Sequence, residues 1–391
     1  MRALVAVLLS AVLVGCSTSC SSGKPETVPT TPGRQFPAPA VNGLDDAQAT
    51  AKLQAVLNEV VAQFKTSPDV ETAARGVTAA VIFGDRWAWT GAAGNDALGE
   101  KLRASTEMAT ASITKTFVAT EVLRLAEKRR IDLDAPLSRY VKHRLTAKNA
   151  TVRQYLAMTA GVPDFTPSDY DKMAADLAGA PARRWTARQA LKYHTSALGA
   201  PGSPYVYSSA SYLLVGMAIE AVTKQPLAVA LRNDLVKPAG LSRVAFQDGE
   251  RPQEPIAGSH SKVCGTIPDG FIPCRSVASS SAAAGSMAAD AATVARWGYQ
   301  LYGARVVPLE IVNQLIGEDG PYGLGTMRFN STFGAIGEAV GHRGNAPGYT
   351  SLLAVIPSRR ISVAVLLADG NKNVDGVMSK FLTALEPLVA G

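Results

Sequence analysis

Apolar residues recur at helical spacing near the start of the chain and gather in short strand-like runs towards its end. Leu53, Val56, Leu57, Val60, Val61 and Phe64 mark one stripe, which predicts an amphipathic helix over 44–64. Asp45 and Asp46 sit at its start, where carboxylates favour the helix dipole. Short β-like runs over 76–83 and 86–90 flank Gly84-Asp85, a hairpin signal. Three more strands are predicted over 335–340, 349–356 and 361–368, and a last helix over 373–388. Between these ends the pattern is mainly helical, over 113–129, 151–158, 186–195, 209–223, 227–234 and 289–302, with Pro/Gly turns between. The predicted class is α/β in the α+β sense: an antiparallel sheet built from both chain ends and flanked by helices. A large, mainly helical subdomain is inserted in it, leaving a cleft at the junction.

Composition supports a folded chain. Of 391 residues, 47% are hydrophobic and 18% charged, enough for a large core and too few charges for a disordered protein. Lys and Arg number 39 against 32 Asp and Glu, leaving +7. The basic residues stand singly or in pairs such as Arg129-Arg130, Arg183-Arg184 and Arg359-Arg360, which read as solvated faces and not as a nucleic-acid surface.

The N-terminus changes the picture more. Arg2 precedes an apolar run, Ala3 to Val14, too short to cross a bilayer but suited to the core of a secretion signal. Gly15-Cys16 resembles a bacterial lipobox, in which cleavage precedes a cysteine carrying a diacylglycerol. Two acyl chains anchor stably where one gives marginal binding. The alternative is an ordinary signal peptide with an incidental cysteine. The expected organisation is a signal peptide at 1–15, a Ser/Pro-rich tether at 16–42 and one domain over 43–391. Within that domain, 43–111 and 303–391 form the sheet part and 112–302 the helical part. The expected location is the cell envelope, at the outer face of the bacterial cytoplasmic membrane.

Cys264 and Cys274 bracket a turn-rich loop. An exported protein can keep a disulfide there, and closing so short a loop stabilises a fold by roughly 2–3 kcal/mol; two free thiols are the other reading. Cys20 lies in the tether with no evident partner. There is no CxxC or HExxH, and His143, His194, His260 and His342 lack metal-ligand spacing, so neither metal nor cofactor is expected.

A serine hydroxyl is a weak nucleophile and needs a base beside it. G-x-S-x-G is absent, which leaves Ser-x-x-Lys at a helix start: a spacing of three places both side chains on one face, one turn apart. Three such pairs occur: Ser21/Lys24, Ser112/Lys115 and Ser259/Lys262. Only Ser112/Lys115 opens a long apolar-periodic helix, with Ile113, Phe117, Val118, Val122 and Leu125 as its stripe. Desolvation there would lower the lysine pKa towards that of a usable base. The bland reading of the pair alone is an N-cap serine and an exposed lysine.

The surroundings of that pair decide between the two. MATASITKTFVATEVLRLAEKRRIDLDAPLSRYV is followed by ATVRQYLAMTAGVPDF, then PGSPYVYSSASYLLVGMAIEAVTKQPL, and near the end YGLG and GHRGNAPGYTS. In this order the blocks resemble the serine β-lactamase / D-alanyl-D-alanine carboxypeptidase superfamily, in its class C β-lactamase-like and esterase branch, from about Gly76 to the C-terminus. The resemblance implies a β-lactamase/transpeptidase-like fold and an acyl-enzyme serine hydrolase acting on an ester, a small amide or a D-Ala-type peptidoglycan peptide. It implies Ser112 as nucleophile, Lys115 as its partner and Tyr207 as a proton relay if lysine charge lowers its pKa. Ser209 stands where the branch has asparagine, and His342-Arg343-Gly344 where it has a Lys/His-x-Gly strand segment. Gly344 would let substrate lie against that strand, and the backbone N–H groups of Ser112 and Asn345 would form the oxyanion hole. Arg343 could meet a substrate carboxylate or point to solvent. His342 would replace a constant charge with a pH-dependent one, as in carboxypeptidases and esterases more than in efficient β-lactamases. The competing reading is a non-catalytic, penicillin-binding-protein-like sensor or binding module of the envelope.

Overall fold

A computed structural model of the chain describes residues 46–64, 76–85, 87–259, 261, 263–265, 270–370 and 373–389. Cys16, Cys20 and the expected signal and tether at 1–42 lie outside the described residues, as does His260.

The strands, in chain order, are β1 (Val77–Phe83), β2 (Trp87–Ala93), β3 (Met108–Ala109), β4 (Val244–Phe246), β5 (Met287–Ala289), β6 (Met327–Asn330), β7 (Ala339–Ala346), β8 (Tyr349–Ile356) and β9 (Ile361–Leu367). Six of them form one antiparallel sheet in the order β2-β1-β9-β8-β7-β6. The pairing of β1 with β9 closes it, so the sheet is built from both chain ends, as strands at both termini predict. A small second sheet, β3-β5-β4, lies within the helical part.

Every residue of β8 and β9 is buried because both sheet faces are covered, and the period of two divides them between two cores. Leu352, Ala354, Ile356, Val363, Val365 and Leu367 join Leu53, Leu57, Met378 and Phe381 of the terminal helices Asp46–Gln63 and Val374–Val389. Leu353, Val355, Ala364 and Leu366 join the larger core of the helical part. Full burial of such a side chain is worth about 1.5–3 kcal/mol, so a one-residue slip in register would exchange the two sets and lose much of that.

Helix Ala291–Tyr302 packs on β1, β8 and β9. A Cβ at Gly298 would lie 2.6 Å from Leu353 and 2.8 Å from Val355, so only glycine allows this approach. Ser362 Oγ also donates to the Ala295 carbonyl at 2.8 Å. The helix thus bridges the sheet and the core of the helical part, since helical periodicity marks a buried stripe without saying which partner covers it. The strand expected over 335–340 is displaced. Ser331–Ile336 is a 3-10 turn, Gly337 follows at φ +127°, and β7 runs through the polar His342-Arg343-Gly344-Asn345. The helix expected over 186–195 shortens to Ala187–Ala190 behind a Thr186/Gln189 capping box. Helices Pro167–Gly179, Arg275–Gly285 and Leu309–Ile316 are additional to those the periodicity predicts. Cys264 and Cys274 are disulfide-bonded, with Cα atoms 5.6 Å apart.

Candidate active site

Ser112 sits in the 3-10 turn Ala111–Ile113, directly before helix Thr114–Glu127. The turn is held from several sides. Thr110 N–H donates to the Met287 carbonyl at 2.9 Å, Met287 N–H to Thr114 Oγ1 at 3.0 Å, and Thr114 Oγ1 to the Ala111 carbonyl at 2.7 Å. Ala111 takes φ +46°, a conformation that costs an alanine free energy and persists only where neighbours impose it. The outcome is a serine that is 7% exposed at the floor of a cleft.

Lys115 lies one turn on, fully buried. Its Nζ is 2.9 Å from Ser112 Oγ and donates to the Ala284 carbonyl at 2.7 Å. Burial brings its pKa down to about 7, against the pull of the Asp164 carboxylate. Near neutrality a large share of Lys115 is thus an amine, held by the Ala284 carbonyl within reach of the serine hydroxyl. Helix Thr114–Glu127 is fixed behind it by Phe117, stacked on Trp297 with centroids 3.7 Å apart, and by the Trp297 indole N–H donating to Thr116 Oγ1 at 2.9 Å.

Tyr207 shares a hydrogen bond with Ser112, and the Lys115 ammonium lies over its ring face, 5.0 Å from the centroid. Its ring is half-buried while the hydroxyl points inward, and burial pushes the phenol well above its ordinary pKa. A tyrosinate lowered by lysine charge is therefore not what this site holds. Tyr207 is a protonated phenol, and Lys115 is the group beside Ser112 whose pKa falls near neutrality.

Ser209 is the first residue of helix Ser209–Thr223, whose N-cap Ser208 accepts from Ser211 N–H at 3.1 Å. The Ser209 side chain lines the cleft, while its backbone N–H donates to Asp164 Oδ1 at 3.0 Å. Asp164 is the residue that the Ser-x-x-Lys and Tyr-x-Ser spacings pass over, although it stands in the AMTAGVPDF block. Burial raises its pKa, and the N–H groups of Phe165, Ser209 and Ala210 together with Lys115 oppose that rise. It places a carboxyl at a helix N-terminus facing the lysine, where the dipole favours negative charge.

The β7 segment is where sequence expectation needs most correction. Gly344 does not make room for substrate. A Cβ there would lie 2.2 Å from the Thr110 carbonyl oxygen and from Ser351 Oγ, so the glycine lets β7 close on the nucleophile turn. Ser351 Oγ seals this contact by donating to the Thr110 carbonyl at 2.8 Å. His342 is fully buried, shares hydrogen bonds with Tyr322 at 3.2 Å and the Arg343 carbonyl at 2.5 Å, and is held near a pKa of about 3, by burial first and by Lys115 next. It is a neutral packing group, not a pH-dependent charge and not a substrate contact. Arg343 is engaged as well: its Nε donates to Asp375 at 2.7 Å and its guanidinium lies 4.6 Å from the Phe329 ring centroid. Asn345 is exposed and lines the cleft with Ser112. Beyond Gly341, among the described residues, β7 has no strand on its outer edge, which leaves the backbone beside Asn345 free to meet a ligand.

The cleft encloses about 770 Å³ of empty space, part of it open to solvent. Phe165, Met173, Leu213, Ile272 and Val277 make its walls largely apolar, and Ser112, Ser209 and Asn345 supply polar points. A buried serine–amine pair, a protonated phenol and a free strand edge around an apolar cleft form a constellation for acyl transfer.

Comparisons with known proteins agree with that geometry. A family model described as Beta-lactamase matches residues 53–386. Esterase EstB of Burkholderia gladioli is 30% identical over 224 residues, 54% of this chain and 55% of that protein. Protein flp of Staphylococcus aureus (strain COL) is 28% identical over 155 residues, 38% of this chain, and the match spans only 30% of that relative's length. Among solved structures, a D-stereospecific amidohydrolase from Streptomyces sp. shares 26% identity and a TM-score of 0.69, covering 84% of this chain and 97% of that one. The D-amino acid amidase from Ochrobactrum anthropi SV3 has a TM-score of 0.70 at 22% identity, covering 86% and 99%, a likeness of fold.

Proposed function

The chain belongs to the Beta-lactamase family, and from that premise we propose that it is a serine hydrolase working through an acyl-enzyme on Ser112, with neutral esters and small amides as substrates. The observation that carries this reading is Lys115 Nζ, buried and 2.9 Å from Ser112 Oγ. Neutral Lys115 takes the hydroxyl proton as Oγ attacks the carbonyl carbon. The oxyanion is received by the backbone N–H groups of Ser112 and Asn345. Tyr207 donates its proton to the departing alkoxide or amine and recovers one from Lys115. Water then attacks the ester on Ser112 by the same route in reverse, which releases the acid and restores the serine.

The β7 segment supports uncharged substrates. A D-Ala peptide or a β-lactam presents a carboxylate, yet His342 is neutral and Arg343 is bound to Asp375. Neither is ready to receive that carboxylate, whereas the apolar walls suit an uncharged acyl group. The amidohydrolase and esterase relatives point the same way. Lipidation at Cys16 and an envelope location complete the reading, on the Gly15-Cys16 pattern alone.

The test is a panel of p-nitrophenyl butyrate, D- and L-phenylalanine amide, nitrocefin and a D-Ala-D-Ala peptide, alongside a fluorophosphonate probe. Wild type should hydrolyse the ester or the amides fastest and be labelled on Ser112; Ser112→Ala should lose labelling and about 10⁴–10⁶ in turnover. A folded wild type that neither labels nor turns over any substrate would return the chain to the non-catalytic envelope module.

A further inference from the structure

Helix Arg275–Gly285 has a cavity on each side. Ala278, Ser281 and Ala284 line the catalytic cleft, whereas Ser279, Ala282 and Ala283 line a second cavity of about 400 Å³. The helix is broken between the two by Ala282, at φ +34° and ψ −124°. The two cavities share Leu213, but the second contains none of Ser112, Lys115, Tyr207 and Asn345.

Two polar side chains on its wall are more than nine-tenths buried and lack a partner. Asp248 is 6% exposed and its Oδ1 accepts no hydrogen bond; Trp185 is 5% exposed and its indole N–H donates none. A buried polar atom left without a partner costs about 1–3 kcal/mol, and both of these belong to residues that line one cavity. Their senses are opposite: the indole is a donor, and the carboxyl, raised to about 7 by burial, accepts in its ionised form, which a ligand ammonium would favour. Two exposed side chains on the same lining repeat that division: Glu220 is anionic and Arg184 cationic. Arg184 is already oriented there by a hydrogen bond from its Nε to the Asp248 carbonyl, and Glu220 by accepting from Leu227 N–H at 3.0 Å. Leu213, Met217 and Leu227 complete the wall with apolar surface.

A simple cation or anion satisfies one half of this lining and opposes the other. A molecule with an ammonium, a carboxylate and an aliphatic side chain satisfies all of it. We propose that this second cavity binds a free aliphatic α-amino acid, its ammonium on Asp248 and Glu220, its carboxylate on Trp185 and Arg184, and its side chain against Leu213, Met217 and Leu227. The site stands independently of catalysis at Ser112.

The test follows the indole N–H of Trp185 directly. The chain has four tryptophans, so its indole region in a ¹H–¹⁵N spectrum is sparse, and Trp185→Phe assigns the signal. D- and L-leucine are titrated into the full-length protein, with N-acetyl-leucine and isoamylamine as controls lacking one charge each. The expected result is a saturable shift of the Trp185 signal by leucine in the millimolar range, unchanged in Ser112→Ala. Asp248→Asn should weaken binding about ten- to a hundredfold, the loss of a charged hydrogen bond. Glu220→Gln, at an exposed position, tests the same ammonium contact should Asp248→Asn fail to fold. No saturable shift with leucine, which would mean an ordered water only, overturns the proposal. So does equal binding of either control, or leucine binding that is unaffected by both acidic substitutions.

Discussion

The two faces of the large sheet are built to different rules. On one, the helices Asp46–Gln63 and Val374–Val389 cover β1, β8 and β9, with Leu53, Leu57 and Phe381 meeting Leu352 and Val365 in an almost wholly apolar layer. On the other, the helical part buries Lys115, Glu121, His342 and Thr116 beside its hydrophobic residues. The first face supplies stability by area removed from water. The second gives up some of that stability to hold an amine without its charge. The comparison teaches where to expect a mutation to act, on the fold or on the chemistry.

Substitutions can break this contrast. Lys115→Met, which keeps volume and discards the amine, should lower the turnover of p-nitrophenyl butyrate by about 10²–10⁴. It should also raise stability by on the order of a few kcal/mol at pH 7, since a group held down to about 7 in the fold and near 10.5 in the unfolded chain favours unfolding. A denaturant midpoint that falls, with activity intact, would contradict both halves.

Phe381→Ala, on the opposite face, should do the reverse. Phe381 is fully buried with its ring 6.0 Å from that of Trp89, and its truncation should cost about 3–5 kcal/mol in a urea titration. The kcat of the fraction that stays folded should be unchanged; a loss of kcat would mean the two faces are not separable.

The smallest effect is the pH dependence. kcat/KM should fall about tenfold per unit below pH 7 as Lys115 gains its proton, and level off above. Between pH 7 and 10.5 the unfolded lysine holds a proton that the folded one has lost, so stability should rise with pH, and Lys115→Met should flatten that rise. His342, near 6.5 unfolded and about 3 in the fold, works in a lower window: its unfolded form gains a proton as pH falls below 6.5, and stability should drop from there towards pH 3. His342→Gln should shallow that drop and leave the rise in kcat/KM through pH 7 in place. A kcat/KM that stays flat across pH 7 would remove Lys115 as the base.

The same contrast governs what could be read without coordinates. The helix over 44–64 and the last helix carry a local period, and β8 and β9 are short apolar runs, because neighbouring layers cover both sheet faces. Ser112 and Lys115 are also legible, as three residues on one helix meet by construction. The β7 segment is not. His342-Arg343-Gly344-Asn345 has no apolar alternation, and its assignments turn on residues far away: burial and then Lys115 set the state of His342, Tyr322 holds its ring, Asp375 occupies Arg343, and Thr110 fills the space above Gly344. Asp164 is hidden for the same reason, since it reaches Lys115 only once helix Ser209–Thr223 has docked.

The hydrogen bond from Ser351 Oγ to the Thr110 carbonyl joins residues 241 apart in the chain. Loops of that length close late, because non-local contacts repay their entropy only after most of the chain is in place. The nucleophile turn therefore receives its last support when the C-terminal strands arrive. A nascent or truncated chain ending before β7 holds Ser112 and Lys115 in sequence but not in register with a completed cleft. The reactivity proposed for Ser112 thus depends on the second end of the chain having met the first.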